Sequence, residues 1–186
     1  MKTKIIILII GIVISFAFVS CEKDKDKKQP TTTQTSTTYS VRYNVVSEQA
    51  DNYIAHVLTY STILQCTRND TYYIGDLHSI ELTDHKNQTK RTYDYSGIWY
   101  DSQYSSLTYD ALWKYYSNMP VSSTREIAGK KCNVYVVQGE FATEIAFWNK
   151  ILMYISNASL QMEATAVTFD VPENAFSEET INVDWI

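Results

Sequence analysis

The sequence predicts a β-rich α+β domain, an antiparallel sheet carrying a helix, set behind an exported leader. Three observations predict it. Among 186 residues there are 15 Tyr but only 5 Gly and 3 Pro, a balance that suits pleated, half-buried surfaces and argues against disorder. From Tyr39 onward, apolar residues recur mostly at every second position, which is the period of a strand. Only the stretch 105–118 changes to a helical period. One domain is the expectation for 39–186, and a chain of about 150 residues hides roughly 70% of its unfolded surface, enough for its own core.

The first twenty residues read as a signal peptide. Lys2 and Lys4 form a positive n-region, and Ile5 to Val19 is almost unbroken hydrocarbon. A run of about 15 residues fits a signal h-region better than a membrane span, which needs about 20. Phe18-Val19-Ser20-Cys21 resembles the lipobox of bacterial lipoproteins, with Phe18 in place of the usual Leu. The resemblance implies that Cys21 becomes the first mature residue and carries a diacylglycerol thioether. Its acyl chains would then supply a stable membrane anchor.

Residues 22–38 have no apolar face and read as a solvated tether. Stretched, it spans at most about 55–60 Å; as a coil it averages about 20–25 Å. The charged run Glu22-Lys23-Asp24-Lys25-Asp26-Lys27-Lys28 is similar to tethers of Bacteroidetes lipoproteins delivered to the outer membrane. It is of mixed sign, so both the periplasmic and the surface face stay open. The chain has 16 Lys/Arg and 21 Asp/Glu; six and three of them precede Tyr39, leaving 10 and 18, a net charge of −8. With no basic stripe or basic helix, nucleic acid is excluded as a partner.

Along the domain, Val41, Tyr43 and Val45 alternate with Arg42 and Asn44 in a first strand. Residues 53–66 give a second, Arg68-Asn69-Asp70 a turn, 71–75 a third, and Ile80–Leu82 a short fourth. Asp84–Asn87 turns the chain into 89–95, and Ser96-Gly97 into 98–100. In Ser105–Asn118, Leu107, Ala111 and Tyr115 recur at helical spacing, widened by Leu112 and Tyr116. Ser106 or Thr108 can cap this helix, and Pro120 stops it. Residues 124–127 and 132–138 flank a hairpin at Ala128–Lys131, and 144–148 and 153–155 flank Asn149-Lys150. Leu160, Met162, Ala164 and Ala166 share a face, whereas Val167, Phe169 and Val171 are out of phase with them. A phase slip in a period of two predicts a bulge near Ala166-Val167.

Ile127–Tyr135, Glu144–Trp148 and Phe169–Pro172 with Phe176 resemble the C-terminal half of the LolA/LolB-like family of periplasmic lipoprotein carriers. The resemblance covers 124–183; Asn149-Lys150 departs from it where that family often has Gly. It implies a curved antiparallel sheet, or incompletely closed β-barrel, with one or two covering helices and an apolar cavity that takes an acyl chain or a lipoprotein's lipid. The helix at 105–118 would serve as its lid. On this reading Tyr43, Trp99, Trp113, Phe147, Trp148, Met162, Ala164 and Phe169 are the ligand-binding candidates. Read from the residues alone, the same side chains equally make an ordinary core, and a filled core would point to a protein- or glycan-interaction module.

Chemistry is sparsely signalled. Cys66 and Cys132, outside the cytoplasm, either pair as a disulfide or remain two separate thiols. His78, Glu81, Asp84 and His85 are metal-compatible types, but their spacing matches no zinc motif. Glu178-Glu179 lacks any sign of a facing carboxylate. No P-loop, dinucleotide fingerprint or nucleophile elbow occurs. The expectation is a non-enzymatic lipoprotein without cofactor, catalytic residue or metal, a hydrolase being the poorest alternative.

Overall fold

A computed structural model describes residues 37–47, 50–105, 109–138 and 143–186. Thr35–Ile186 form one compact unit. The expected signal peptide and Cys21 lie outside the described residues, as does the tether up to Ser36.

The domain is mostly β, a sheet of eleven antiparallel strands that does not close into a barrel. The strands are β1 (Thr38–Ser47), β2 (Ala50–Ser61), β3 (Cys66–Tyr73), β4 (Asp76–Asp84), β5 (Thr89–Asp94), β6 (Trp99–Asp101), β7 (Ser123–Ile127), β8 (Lys130–Val137), β9 (Thr143–Trp148), β10 (Ile151–Ser156) and β11 (Leu160–Thr168). The helix α1 spans Tyr109–Tyr116, and Glu173–Phe176 form one 3-10 turn. In space the order is β6-β5-β4-β3-β2-β1-β11-β10-β9-β8-β7. Two meanders, β1–β6 and β7–β11, are thus joined by a single long-range pairing of β1 with β11, leaving β6 and β7 as edges. Such an unclosed sheet is what the LolA/LolB-like resemblance implies.

Two-residue turns set much of this register. Ile74-Gly75, Ala128-Gly129 and Asn149-Lys150 all have positive φ at both positions, the turn that matches strand twist. The phase slip appears as a bulge: Arg42 faces Ala166 but Tyr43 faces Ala164, so Thr165 is the extra residue. Its hydroxyl donates to the Arg42 carbonyl at 3.2 Å. The bulge falls one residue earlier than the pattern suggests. It therefore puts Ala164 and Ala166 on opposite faces, with only Ala164 fully buried.

The strands β8–β10 are covered on both faces. Cys132, Val134 and Ala146 point one way, into a cluster with Tyr39, Val41, Tyr43, Leu58 and Tyr60 of the first meander. Tyr135, Ile145 and Phe147 alternate to the other side and meet Leu112, Trp113 and Tyr116 of α1, with Met119 beyond it. Burial on both faces explains why Ile151–Ile155 is a continuous apolar run. It also corrects the expected helical stripe: Leu112, Trp113 and Tyr116 pack inward, while Ala111 and Tyr115 are exposed. The last turn is closed by Asn118, whose side-chain amide donates to the Lys114 carbonyl at 2.8 Å.

The largest correction concerns Arg68-Asn69-Asp70. These residues do not turn; they lie mid-strand in β3, and the turn comes earlier, at Thr62–Gln65. Polarity misleads here because the polar groups satisfy each other inside the fold. Arg68 and Asp70, two apart and so on one face, are both fully buried and joined at 2.7 Å. Arg68 also donates to the carbonyls of Ala175 at 3.0 Å and Thr180 at 2.5 Å, and its guanidinium lies 5.6 Å from the Trp185 ring. The C-terminal segment is thereby held across β3. Arg91 adds an exposed link to it through Glu178 at 3.0 Å.

Removing one partner of a buried pair strands the other charge. Arg68→Met or Asp70→Leu alone should lower unfolding free energy by about 3–5 kcal/mol in urea denaturation, and the double variant should recover a substantial part of it. Equal loss in the double variant would contradict this account.

Candidate functional site

The antiparallel ladders sort the turns into two ends. Thr38 opposite Ser61 and Ser40 opposite Thr168 define a proximal end, with the turns at 62–65, 85–88, 128–129 and 149–150. Ser47 opposite Leu160 defines the distal end, with the turns at 74–75, 95–98 and 157–159.

The eight candidate ligand-binding residues do not converge. Tyr43, Ala164 and Trp148 belong to the cluster between the two meanders, where the Tyr43 hydroxyl donates to the Leu152 carbonyl at 2.8 Å. Phe147 and Trp113 meet edge to face, 5.3 Å apart, under α1. Met162 touches both clusters. Trp99 stands away on β6 against Tyr93, and Phe169 is 52% exposed beside Tyr39 and Trp148. Six of the eight pack within these two clusters, and on α1 Trp113 meets Phe147 directly.

The remaining candidates are dispersed in the same way. Along β4 and its turn, His78 stacks on Tyr95, Glu81 pairs with Lys90 at 2.7 Å, and Asp84 accepts from the Lys86 and Asn87 amides. His85 shares a hydrogen bond with Thr67 at 2.7 Å and faces Tyr104. Cys66 and Cys132 are free thiols in β3 and β8. Burial raises both above the ordinary thiol value, so neither is a thiolate at neutral pH. Cys66 borders a cleft of about 190 Å³ with Leu82, Thr89, Arg91 and Phe176.

The distal end carries a group of apolar side chains that sequence reading passed over. Ile74 is 67% exposed, Tyr95 75% and Ile98 63%. Tyr73, Tyr100 and Val46, on β3, β6 and β1, are exposed as well. Local chemistry fixes this surface. Asp94 accepts from the Ser96 amide at 2.8 Å and from its hydroxyl, Gly97 donates to the Asp94 carbonyl at 3.0 Å, and Gly97 has φ +81°. The turn thus holds Tyr95 and Ile98 outward, and the His78 ring 5.7 Å from Tyr95 ties the β5–β6 turn to β4. Turn residues between strands gave the signal: Ile74-Gly75 and Tyr95-Ser96-Gly97-Ile98 place large apolar groups where polar ones are the rule.

No family model matches the chain, and no curated protein matches it. Among solved structures it is similar to an uncharacterized conserved protein from Thermus thermophilus, with a TM-score of 0.54 at 9% identity over 76% of this chain and 83% of that one. The likeness is one of fold. MucB in complex with MucA(peri) gives a TM-score of 0.48 at 7% identity, and the Pseudomonas aeruginosa MucA/MucB complex 0.48 at 8%; each alignment covers 75% of this chain. This chain spans about half the length of those two, 53% and 54%. No helix among the described residues is long and apolar enough to cross a membrane.

Two histidines couple stability to mild acid. Burial pushes the His56 ring below the ordinary histidine value, opposed by its Asn69 hydrogen bond and the Glu81 charge. Burial lowers His85 likewise, opposed by Asp84. The unfolded chain therefore takes up protons at higher pH than the folded one. The stabilisation is complete above about 6.5 and is lost as pH falls through the folded values. The urea midpoint should fall between pH 7.5 and 5, and His56→Asn with His85→Asn should flatten that slope. Asp84, held low chiefly by the Asn87 amide, and Asp94, held low chiefly by the Ser96 hydroxyl, act in a separate window below about pH 4.

Proposed function

We infer that the chain is a non-enzymatic, lipid-anchored interaction module of the bacterial cell envelope, holding a protein partner on its distal end. The observation that carries this reading is the contrast between interior and surface. Tyr43, Trp113, Phe147 and Trp148, expected to line a cavity, lie in two packed clusters, whereas Ile74, Tyr95 and Ile98 stand more than 60% exposed at one end. Protein interfaces centre on apolar and aromatic anchors of this kind, and a few of them carry most of the binding energy. The aliphatic Ile74 and Ile98 beside Tyr95 suit a partner's apolar side chains better than a sugar's hydroxyls. The anchor reading is supported by the sequence around Cys21, and β1 begins at Thr38, where that tether ends.

A photo-crosslinking residue in place of Tyr95, in the full chain in its own cells, should capture a discrete protein, whereas one in place of Asn87 at the proximal end should not. Tyr95→Ser with Ile98→Ser should weaken that capture by about 10–100-fold, consistent with one or two anchors of about 1–3 kcal/mol. Because both side chains are exposed, the unfolding free energy should stay within about 0.5 kcal/mol of the parent. No adduct at position 95, together with a stoichiometric lipid extracted from the purified chain, would favour an acyl-chain carrier instead.

A further inference from the structure

The proximal end carries a second apolar group, and it surrounds the point where the chain from Cys21 enters the fold. Thr37 bonds Thr62 in both directions: its amide donates to the Thr62 hydroxyl at 2.8 Å, and its carbonyl accepts from the Thr62 amide at 3.0 Å. The next two residues of that turn are Ile63, 65% exposed, and Leu64, 52% exposed. Across the start of β1, Phe169 is 52% exposed and contacts Tyr39, whose ring also meets Tyr60. Phe169 and Trp148 meet at 6.1 Å, and the Lys130 ammonium lies 4.8 Å from the Trp148 ring.

Lysines ring these side chains. Lys150 follows Trp148 in an exposed turn, Lys131 is exposed beyond the neighbouring hairpin, and Lys86 sits in the turn bonded to Gln65 through the His85 amide at 2.9 Å. Acidic residues share this end: Asp84, occupied in capping its own turn, Asp101 and Glu178, both paired with Arg91, and the exposed Asp170 and Glu126. The carboxylates of Asp101 and Glu178 are paired with Arg91, whereas Lys86, Lys131 and Lys150 are exposed near the apolar Ile63, Leu64 and Phe169. Aliphatic and aromatic tips with lysines around them match a membrane–water interface, where the apolar parts enter the acyl boundary and the ammonium groups stay among headgroups.

We propose that this proximal end is a membrane-docking surface, with Ile63, Leu64 and Phe169 inserting between the headgroups of the bilayer that holds Cys21. The proposal rests on the lipid-anchor reading. Thr37 lies 16 residues from Cys21, a stretch of chain that can reach at most about 53–58 Å. The proximal end is therefore held within that reach of the bilayer, whereas the distal end lies a further strand length away, about 33 Å for the ten residues of β1. Docking at one end then sets the distal aromatic group facing away from the membrane.

The test uses the full chain, lipidated and reconstituted into phosphatidylethanolamine and phosphatidylglycerol vesicles (3:1), in a Cys66→Ser and Cys132→Ser background. An NBD fluorophore is placed at Leu64→Cys or at Ile98→Cys. The expected result is a blue-shifted emission at position 64, quenched several-fold by spin-labelled lipid, with water-like emission at position 98. Water-like emission at both positions on an anchored chain would overturn the docking surface and leave the anchor standing. If metabolic palmitate labelling shows Cys21 unmodified, the anchor reading fails. Docking is then decided by flotation of the unlipidated chain with the same vesicles. Co-flotation lost in Ile63→Asp with Leu64→Asp, at unchanged circular dichroism, supports it; absence of co-flotation overturns it.

Discussion

The buried pair of Arg68 and Asp70 is the constraint around which the first meander is organised. A guanidinium inside a sheet is tolerable only when its donors are matched, and this one is matched on three sides. Asp70 takes the ionic contact at 2.7 Å, the carbonyls of Ala175 and Thr180 take the opposite edge, and Trp185 covers the plane. The C-terminal segment after the 3-10 turn has no strand partners of its own, so the arginine supplies bonds that a sheet would otherwise provide. It covers a face on which Val57 and Ile80 are wholly buried. The ion pair, the tail and that apolar face stand or fall together.

The second meander solves a different problem. Its strands β8–β10 must be apolar on both sides, because one side meets β1 and β2 and the other meets α1. The pairing of β1 with β11 brings the two meanders into one sheet, and the bulges at Met153 and Thr165 bend it there. The helix contributes Leu112, Trp113 and Tyr116 to a cluster that would lie bare without it. Outside these clusters, one end has apolar turn tips at Ile74, Tyr95 and Ile98, and the other has the exposed Ile63, Leu64 and Phe169.

Signals confined to a few residues were legible in the sequence. Ala128-Gly129 and Asn149-Lys150 turn as expected, since positive φ at two consecutive positions is a local property. The phase change at Val167 gave the bulge to within a residue or two, because period two leaves no other way to absorb a slip. What depended on distant partners was not legible. Arg68-Asn69-Asp70 looks like a turn until the carbonyls of residues more than a hundred positions away are known. The stripe of α1 was misphased because Ala111 and Tyr115 fit the spacing, whereas Phe147 on β9 selected Leu112, Trp113 and Tyr116. The candidate ligand residues were chosen by type, and type does not give placement: six lie in the two clusters, while Trp99 and Phe169 stand apart. Ile74, Tyr95, Ile98, Ile63 and Leu64 read as strand residues in the sequence, because apolar residues in turns gain meaning only when the ladder brings the turns to one end.

An open sheet leaves two rows of unpaired amides and carbonyls, and molecules crowded along a surface at shared height could join such rows strand to strand. Here both margins are poor templates. The strand β6 has three residues, too few to seat a neighbour in register. The strand β7 is Ser-Thr-Arg-Glu-Ile, and its central Arg125 is engaged with Glu163 at 2.6 Å and lies 4.5 Å from the Tyr154 ring. A copy adding itself alongside β7 would have to approach a charge that the fold has already committed. The open sheet thus ends on two margins that offer little to a strand added alongside.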